Sequence, residues 1–523
     1  MPIERVRAGR PEGGRTGPSR EVDADFLALP LRELAAAALE TARIGGAEHA
    51  DVRVHRIRSA ALELRDARVV SSSDTDEVGL AVRVLRHGVW GFAAHVDLTA
   101  GSAAATARRA LDVAATLAPV ARESVNLAAE PVHADVTWVS PHVLDPFEVD
   151  PGERIGLLTD RSAALLAAPG VDHVEATCLQ VKEQVFYADL AGTVTTQQRV
   201  RVDPGITITA VDRAGGGFES LRSVAPPAGR GWEYLTGTGW DWGAELAELP
   251  GLLAEKLAAP TVTAGPTDLV IDPTNLWLVI HESIGHATEY DRAIGYEANY
   301  AGTSFATPDQ LGTLRYGSKV LHVTGDRTEP HGLASVAYDD DGVATAETGP
   351  FDLIRDGVLV GYQVDRSFAP RLGLPRSNGC AYADSAGHVP LQRMANVSLS
   401  PDRAADTSTA ELISRVEDGI YVVGDRSWSI DMQRYNFQFT GQRFYRISGG
   451  ELAGQVRDVA YQATTTDFWG ALEAVGGPST WRLGGAFTCG KAQPGQVAPV
   501  SHGCPSALFR GISVLNTAEE AGR

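Results

Sequence analysis

The sequence predicts an α+β protein, with a layered N-terminal domain of antiparallel sheet and flanking helices and a strand-rich C-terminal domain built around one very apolar helix. Three observations predict this. Helical and strand periodicities are mixed through the first half of the chain. A Pro/Thr/Gly stretch at 259–266, Ala259-Pro260-Thr261-Val262-Thr263-Ala264-Gly265-Pro266, reads as a linker. Beyond it, short alternating segments separated by Gly-containing turns dominate. At 523 residues the chain is long enough for two or three domains. The expected organisation is a disordered tail at 1–22, an N-terminal domain at 23–258, the linker at 259–266 and a C-terminal domain at 267–523.

The tail contains MPIERVRAGRPEGGRTGPSR, rich in Arg, Gly and Pro with no apolar core, so it does not read as a signal peptide. Leu31 to Arg43 is Leu/Ala-rich at helical spacing and Gly45-Gly46 stops it. Asp51-Val52-Arg53-Val54 and Val82-Arg83-Val84-Leu85 alternate as half-buried strands, and a second helix fills Ala103 to Leu117. A third begins at Asp150 as N-cap, with Pro151 at the first helical position and Glu153 at the third. Strands follow from Val174 to Val211, with Asp203-Pro204-Gly205 expected as a turn. After the linker comes a short strand, Leu269-Val270-Ile271, then a helix starting near Pro273-Thr274-Asn275. Asp356-Gly357, between Phe351–Ile354 and Val358–Val360, is a hairpin signal. Phe437–Phe439 and Phe444–Ile447, closed by Ser448-Gly449-Gly450, read the same way.

Composition narrows the function. The chain is 44% hydrophobic and 21% charged, which is ordinary globular material. A formal net charge of −20 would repel nucleic acid and anionic membranes, so neither is an expected partner. No run approaches the ~20 apolar residues of a membrane helix. Cys178, Cys380, Cys489 and Cys504 are too few and too scattered for a disulfide framework. A soluble, cytoplasmic protein is expected.

The chemistry lies on the helix after the linker. Leu276-Trp277-Leu278-Val279-Ile280 is apolar all round, so this helix is deeply buried. His281-Glu282-Ser283-Ile284-Gly285-His286 then places two imidazoles and a carboxylate where they need partners. A metal would supply one. Zinc peptidases usually carry the two histidines four apart on one face. Here they are five apart, about 140° around a regular helix. A local π-type turn would close that angle, and Gly285 favours one. Glu282 could then take a proton from the attacking water and return it to the leaving amine. Spacing does not choose the third ligand: Glu289, Cys489 and Cys504 are candidates, whereas Cys178 alternates into a strand core. A His₂Cys set plus water would leave the open position that catalysis needs.

The stretch from His281 to Asp291, HESIGHATEYD, resembles the HExxxH helix of the TldD/PmbA family. Cys489-Gly490-Lys491 with Gly495-Gln496 and Pro499-Val500, Ala334–Gly342, Gly357–Tyr362 and Gly88–Ala93 are similar to further blocks of that family, in the same order. The resemblance implies a zinc peptidase that cuts unfolded peptides held as an added strand. His281, His286 and Cys489 would hold Zn²⁺ and Glu282 would be the catalytic base. It also implies a dimer, either with a second copy or with a paralogue of the PmbA branch (also called TldE), which lacks the ligands. This sequence keeps them and so resembles the TldD branch. It departs at Ser501-His502-Gly503-Cys504-Pro505, where a plainer Gly-rich loop is the family pattern. His502 and Cys504 there read as loop residues, with an accessory metal contact as the alternative. Asp339-Asp340-Asp341-Gly342 lacks the rest of a calcium-loop pattern and reads as a polar turn. Two other functions stay open: a non-catalytic subunit with a structural metal, and a zinc amidohydrolase acting on a non-peptide amide.

Overall fold

Two seven-stranded sheets organise the chain, one drawn from each half of the sequence. The computed structural model describes residues 21–213 and 215–520, so nearly all of the expected N-terminal tail lies outside the described residues. The fold is α+β, with the C-terminal half the richer in strands.

The first sheet runs in the order Val89–His95, Arg68–Arg86, His49–Arg65, His173–Asp189, Val194–Asp212 and Val136–Val139, with Gly217–Arg222 added beside Val194–Asp212. All neighbours are antiparallel except Val136–Val139 against Val194–Asp212. Helices Leu31–Ile44 and Ala100–Leu117 close one end, because their Leu and Ala stripes meet Val52, Val54, Leu80, Val82 and Val84. Asp150 caps helix Pro151–Leu166 by accepting from the Gly152 amide.

Asp203-Pro204-Gly205 is not a turn. It lies inside the continuous Val194–Asp212 strand, opposite Thr177, Cys178 and Leu179. The reason is the direction of the Pro204 nitrogen. Two residues earlier, the Val202 amide points away from the neighbouring long strand, to the Ala228 carbonyl. Strand alternation turns Pro204 the same way, so the ladder loses no hydrogen bond.

In the second sheet, strands Asp418–Ile430, Gly265–Ile271, Ala507–Asn516, Val459–Thr464 and Asn436–Ser448 are neighbours in that order, and the last pairs back to the first. The five therefore form a closed ring. Strand Gly265–Ile271 already includes the last two residues of the expected linker. Asp356-Gly357 forms the expected tight hairpin, with φ of 50° and 73°. The two Phe-containing segments are a correction: they are one strand, Asn436–Ser448, and Gly449-Gly450 turns it into Glu451–Val456.

Helix Pro273–Ile280 is set against this ring. Asp272 caps it by accepting from the Thr274 amide, with Pro273 pre-set at the first position. Asn275 then ties it to three strands, donating to the Gly424 and Thr440 carbonyls and accepting from the Tyr461 hydroxyl. The Asp339–Asp341 turn ties the C-terminal half to the first sheet. Asp340 pairs with Arg53, and Asp341 with Arg83, across from the first sheet. These carboxylates are buried and committed to arginines.

Candidate metal centre

The helix carrying the two histidines changes pitch where they begin. Residues His281–Gly285 are π-helical, and the His286 amide bonds the His281 carbonyl, five residues back, at 3.0 Å. That widening brings the imidazoles onto one side, with ring centroids 4.7 Å apart. Gly285 packs closely: a Cβ there would stand 2.5 Å from the Met394 sulfur, so that side chain would have to shift. Ser283 holds the turn from behind, its hydroxyl accepting from the Trp469 indole at 2.9 Å.

Cys489 arrives from the Arg482–Lys491 strand, whose register against Gln496–Cys504 shifts between Ala486 and Cys489. Such a bulge re-aims the side chain that follows it. The ligating atoms of His281, His286 and Cys489 all lie within 4.8 Å of one another, and all three residues are buried. Cys489 Sγ is 3.6 Å from His286 Nε2. Tetrahedral zinc, with bonds near 2.0–2.1 Å to nitrogen and 2.3 Å to sulfur, separates such a pair by about 3.6 Å. The donor set therefore fits a metal of zinc's size.

Protonation favours the same use. Burial pushes the His281 and His286 imidazoles below their usual range, towards neutral rings with a lone pair to give. Burial alone would push the Cys489 thiol up, but His286 and Arg393 outweigh it and bring the thiol below its ordinary value. Neutral imidazole and thiolate are the forms that bind metal.

Each ring is also held on its far side. His286 Nδ1 lies 2.9 Å from Glu289, a carboxylate clamped by Lys491 at 3.2 Å and Arg292 at 3.1 Å. Glu289 thus orients a histidine and does not join the cluster. Cys504 is also outside it: its Sγ lies 3.6 Å from the Pro273 carbonyl, and burial pushes its thiol well up. His502 reaches the other ring, with Nε2 2.7 Å from His281 Nδ1. Cys178 is buried in its strand, as alternation implied.

Glu282 sits beside the trio without entering it. The Arg434 guanidinium donates to its Oε2 at 2.6 Å, and both side chains are largely buried. Arg434 escaped the sequence reading because the contact spans 152 residues and no motif marks it. A local sign exists: Arg434 has φ of 63° in the Asp431–Asn436 turn, a conformation that side chains rarely adopt.

Glu289 provides a test of the buried charges. Burial opposes its ionisation, but Lys491, His286 and Arg292 hold it well below its ordinary value of 4.5. A lowered folded-state pKa stabilises above the unfolded value and loses that stabilisation as pH falls through the folded one. Glu289→Gln should therefore lower unfolding stability by about 3 kcal/mol at neutral pH, since it leaves cations buried without their partner. The gap to the parent should narrow below about pH 4.5 in denaturant titrations. A gap that stays constant with pH would assign the loss to packing.

Residues 264–516 match the family described as the PmbA/TldA metallopeptidase C-terminal domain, and residues 50–114 match PmbA/TldA metallopeptidase domain 1. The chain belongs to the TldD/PmbA metallopeptidase family. Relatives named as metalloproteases agree over nearly the whole length. One from Methanothermobacter thermautotrophicus is 28% identical over 95% of this chain and 100% of its own. A zinc metalloprotease TldD homolog from Saccharolobus solfataricus is 24% identical over 90% of this chain and 97% of its own. The fold is shared with TldE from Thermococcus kodakarensis, at a TM-score of 0.66 and 14% identity over 91% of this chain and 99% of that one. Among the described residues, no helix of this TldD/PmbA protein is long and apolar enough to cross a membrane.

Proposed function

We propose that this protein is a zinc peptidase acting on extended or unfolded peptides, with His281, His286 and Cys489 as the metal ligands and Glu282 as the base. The observation that carries this reading is the meeting of three soft and borderline donors from distant parts of the chain, with a carboxylate held beside them and no fourth His, Cys, Asp or Glu donor grouped with them among the described residues. A three-ligand set leaves a position open, which supports catalysis over a purely structural metal. When bound, zinc would polarise the scissile carbonyl and make water nucleophilic at neutral pH. Glu282 would accept the proton of the attacking water and deliver it to the leaving nitrogen. Arg434 would hold that carboxylate in place through the transfer, and the clamp on His286 would keep its Nε2 directed inwards.

The strand that bears Cys489 supports an extended substrate. Arg482–Lys491 pairs along one edge with Gln496–Cys504, and among the described residues no strand covers its other edge. A groove of about 320 Å³ lies along Leu483–Thr488, walled by Asp203, Arg222, Trp240, Trp277 and Trp428. An extended peptide can add to such an edge through its backbone, with little demand on its side chains. A folded protein offers little unpaired backbone of that kind, and its exposed sheet edges are usually short, charged or covered. We further propose a cytoplasmic dimer, with a second copy or with a metal-free TldE-like paralogue.

The test is metal removal. Dialysis against a strong chelator should abolish hydrolysis of an unstructured reporter peptide, and stoichiometric zinc should restore it. Full cleavage by protein verified as metal-free would refute the proposal.

A further inference from the structure

The segment that departs from the family pattern, Ser501-His502-Gly503-Cys504-Pro505, is not a loop. Ser501–Cys504 ends the Gln496–Cys504 strand, and His502 is fully buried against the metal centre. Its Nδ1 lies 2.8 Å from the Val397 carbonyl oxygen. A carbonyl only accepts, so this nitrogen carries the proton. Among the described residues, the ring's hydrogen-bond partners are that carbonyl and the His281 ring, with no carboxylate. A His281 that ligates through Nε2 keeps its own proton on Nδ1, so His502 Nε2 is the accepting atom of this pair and offers its lone pair. That lone pair faces His281 Nδ1 at 2.7 Å. Two lone pairs do not meet at that distance, so His281 Nδ1 carries the proton and donates it.

We propose that His502 is a positioning residue, which fixes His281 in the tautomer whose Nε2 lone pair points at His286 and Cys489. The inference rests on reading His281 as a metal ligand. The relay runs from the Val397 carbonyl through His502 to His281, and its frame is rigid. The amides flanking His502 are both held by the Asn396–Leu399 strand, Ser501 N bonding Asn396 at 3.1 Å and Gly503 N bonding Ser398 Oγ at 2.9 Å. The Trp277 ring lies parallel to His502, at 9°. The two ligating histidines are thus supported differently: His286 by a carboxylate, His281 by a neutral ring that adds orientation without charge. A ligand whose proton sits on the wrong nitrogen must change tautomer before it can bind, and outer partners of this kind are worth about 10–100-fold in metal affinity.

The experiment is zinc affinity of the metal-free full-length chain, measured by competition with a chromogenic chelator. His502→Val removes the acceptor and should weaken binding by about 10–100-fold. His502→Gln can accept from His281 and donate to Val397, and should stay within about threefold of the parent. Equal weakening in both variants, or none in His502→Val, overturns the relay. His281→Ala is the separate control: parental affinity there would defeat the ligand assignment itself. Where His502→Val fails to fold, histidine ¹⁵N spectra of the metal-free parent decide the matter. The His281 signals, identified by their loss in His281→Ala, should show a protonated Nδ1, and a protonated Nε2 overturns the proposal.

Discussion

Replacing Glu282 by alanine is expected to leave zinc bound while lowering cleavage of an unstructured peptide by on the order of 10²–10⁴-fold, the usual contribution of a positioned proton-transfer group. The two effects separate because Glu282 is adjacent to a ligand in sequence and beside the cluster, yet is not one of its three donors. Its carboxylate is turned to Arg434. Metal content should therefore match the parent by elemental analysis. Glu282→Gln makes the argument sharper. The amide oxygen can still accept from Arg434, so geometry and packing are kept, yet the side chain can no longer take a proton. Glutamine should thus be as inactive as alanine. A metal-loaded glutamine variant that retained most of its turnover would remove Glu282 as the base and leave it only an orienting role.

How far the site could be read from sequence depends on how local each signal is. The apolar run Leu276–Ile280 and the five-residue histidine spacing together require a buried helix with a local widening, and the π-helical turn at His281–Gly285 is what they demand. The helix cap at Asp150 was legible for the same reason: it acts within two residues of its own position. Cys489 was one of several candidates on spacing alone. Its approach depends on a strand bulge and on folding across 203 residues, which no periodicity encodes. The family resemblance singled it out. Arg434 and the orienting part played by His502 stayed hidden because both arise from side chains meeting across the fold. The turn expected at Pro204 failed because local turn chemistry was outweighed by the pairing of two long strands. The split of Phe437–Ile447 into two segments failed similarly: Thr440-Gly441-Gln442 interrupts the apolar pattern without interrupting the strand, and a Cβ at Gly441 would meet the Gly424 carbonyl at 3.1 Å, a tight fit that favours glycine there.

Cys489→Ser is expected to lower zinc affinity by more than about 100-fold, beyond the effect of losing an orienting partner, because it removes a ligand outright. Serine matches cysteine in shape, but its hydroxyl does not ionise near neutral pH and is a poor zinc donor. The fold should tolerate the exchange. Among the described residues, the Cys489 thiol has one hydrogen-bonding contact, a long one to His286 Nε2, and the backbone carbonyl, held by Arg393, is unaffected. Thermal unfolding of the metal-free forms should therefore nearly coincide, while the stabilisation that zinc gives the parent should largely vanish from the variant. The pH dependence carries a second signature. A thiol must shed its proton to bind metal, so parental affinity should rise with pH, and the serine variant should rise less steeply by about one proton per site. Cobalt substitution provides an optical check: the parent should show a sulfur-to-metal charge-transfer band that the variant lacks. Unchanged zinc content in Cys489→Ser, with the band intact, would mean that some other group completes the site, and the three-donor cluster would lose its claim to be the catalytic centre.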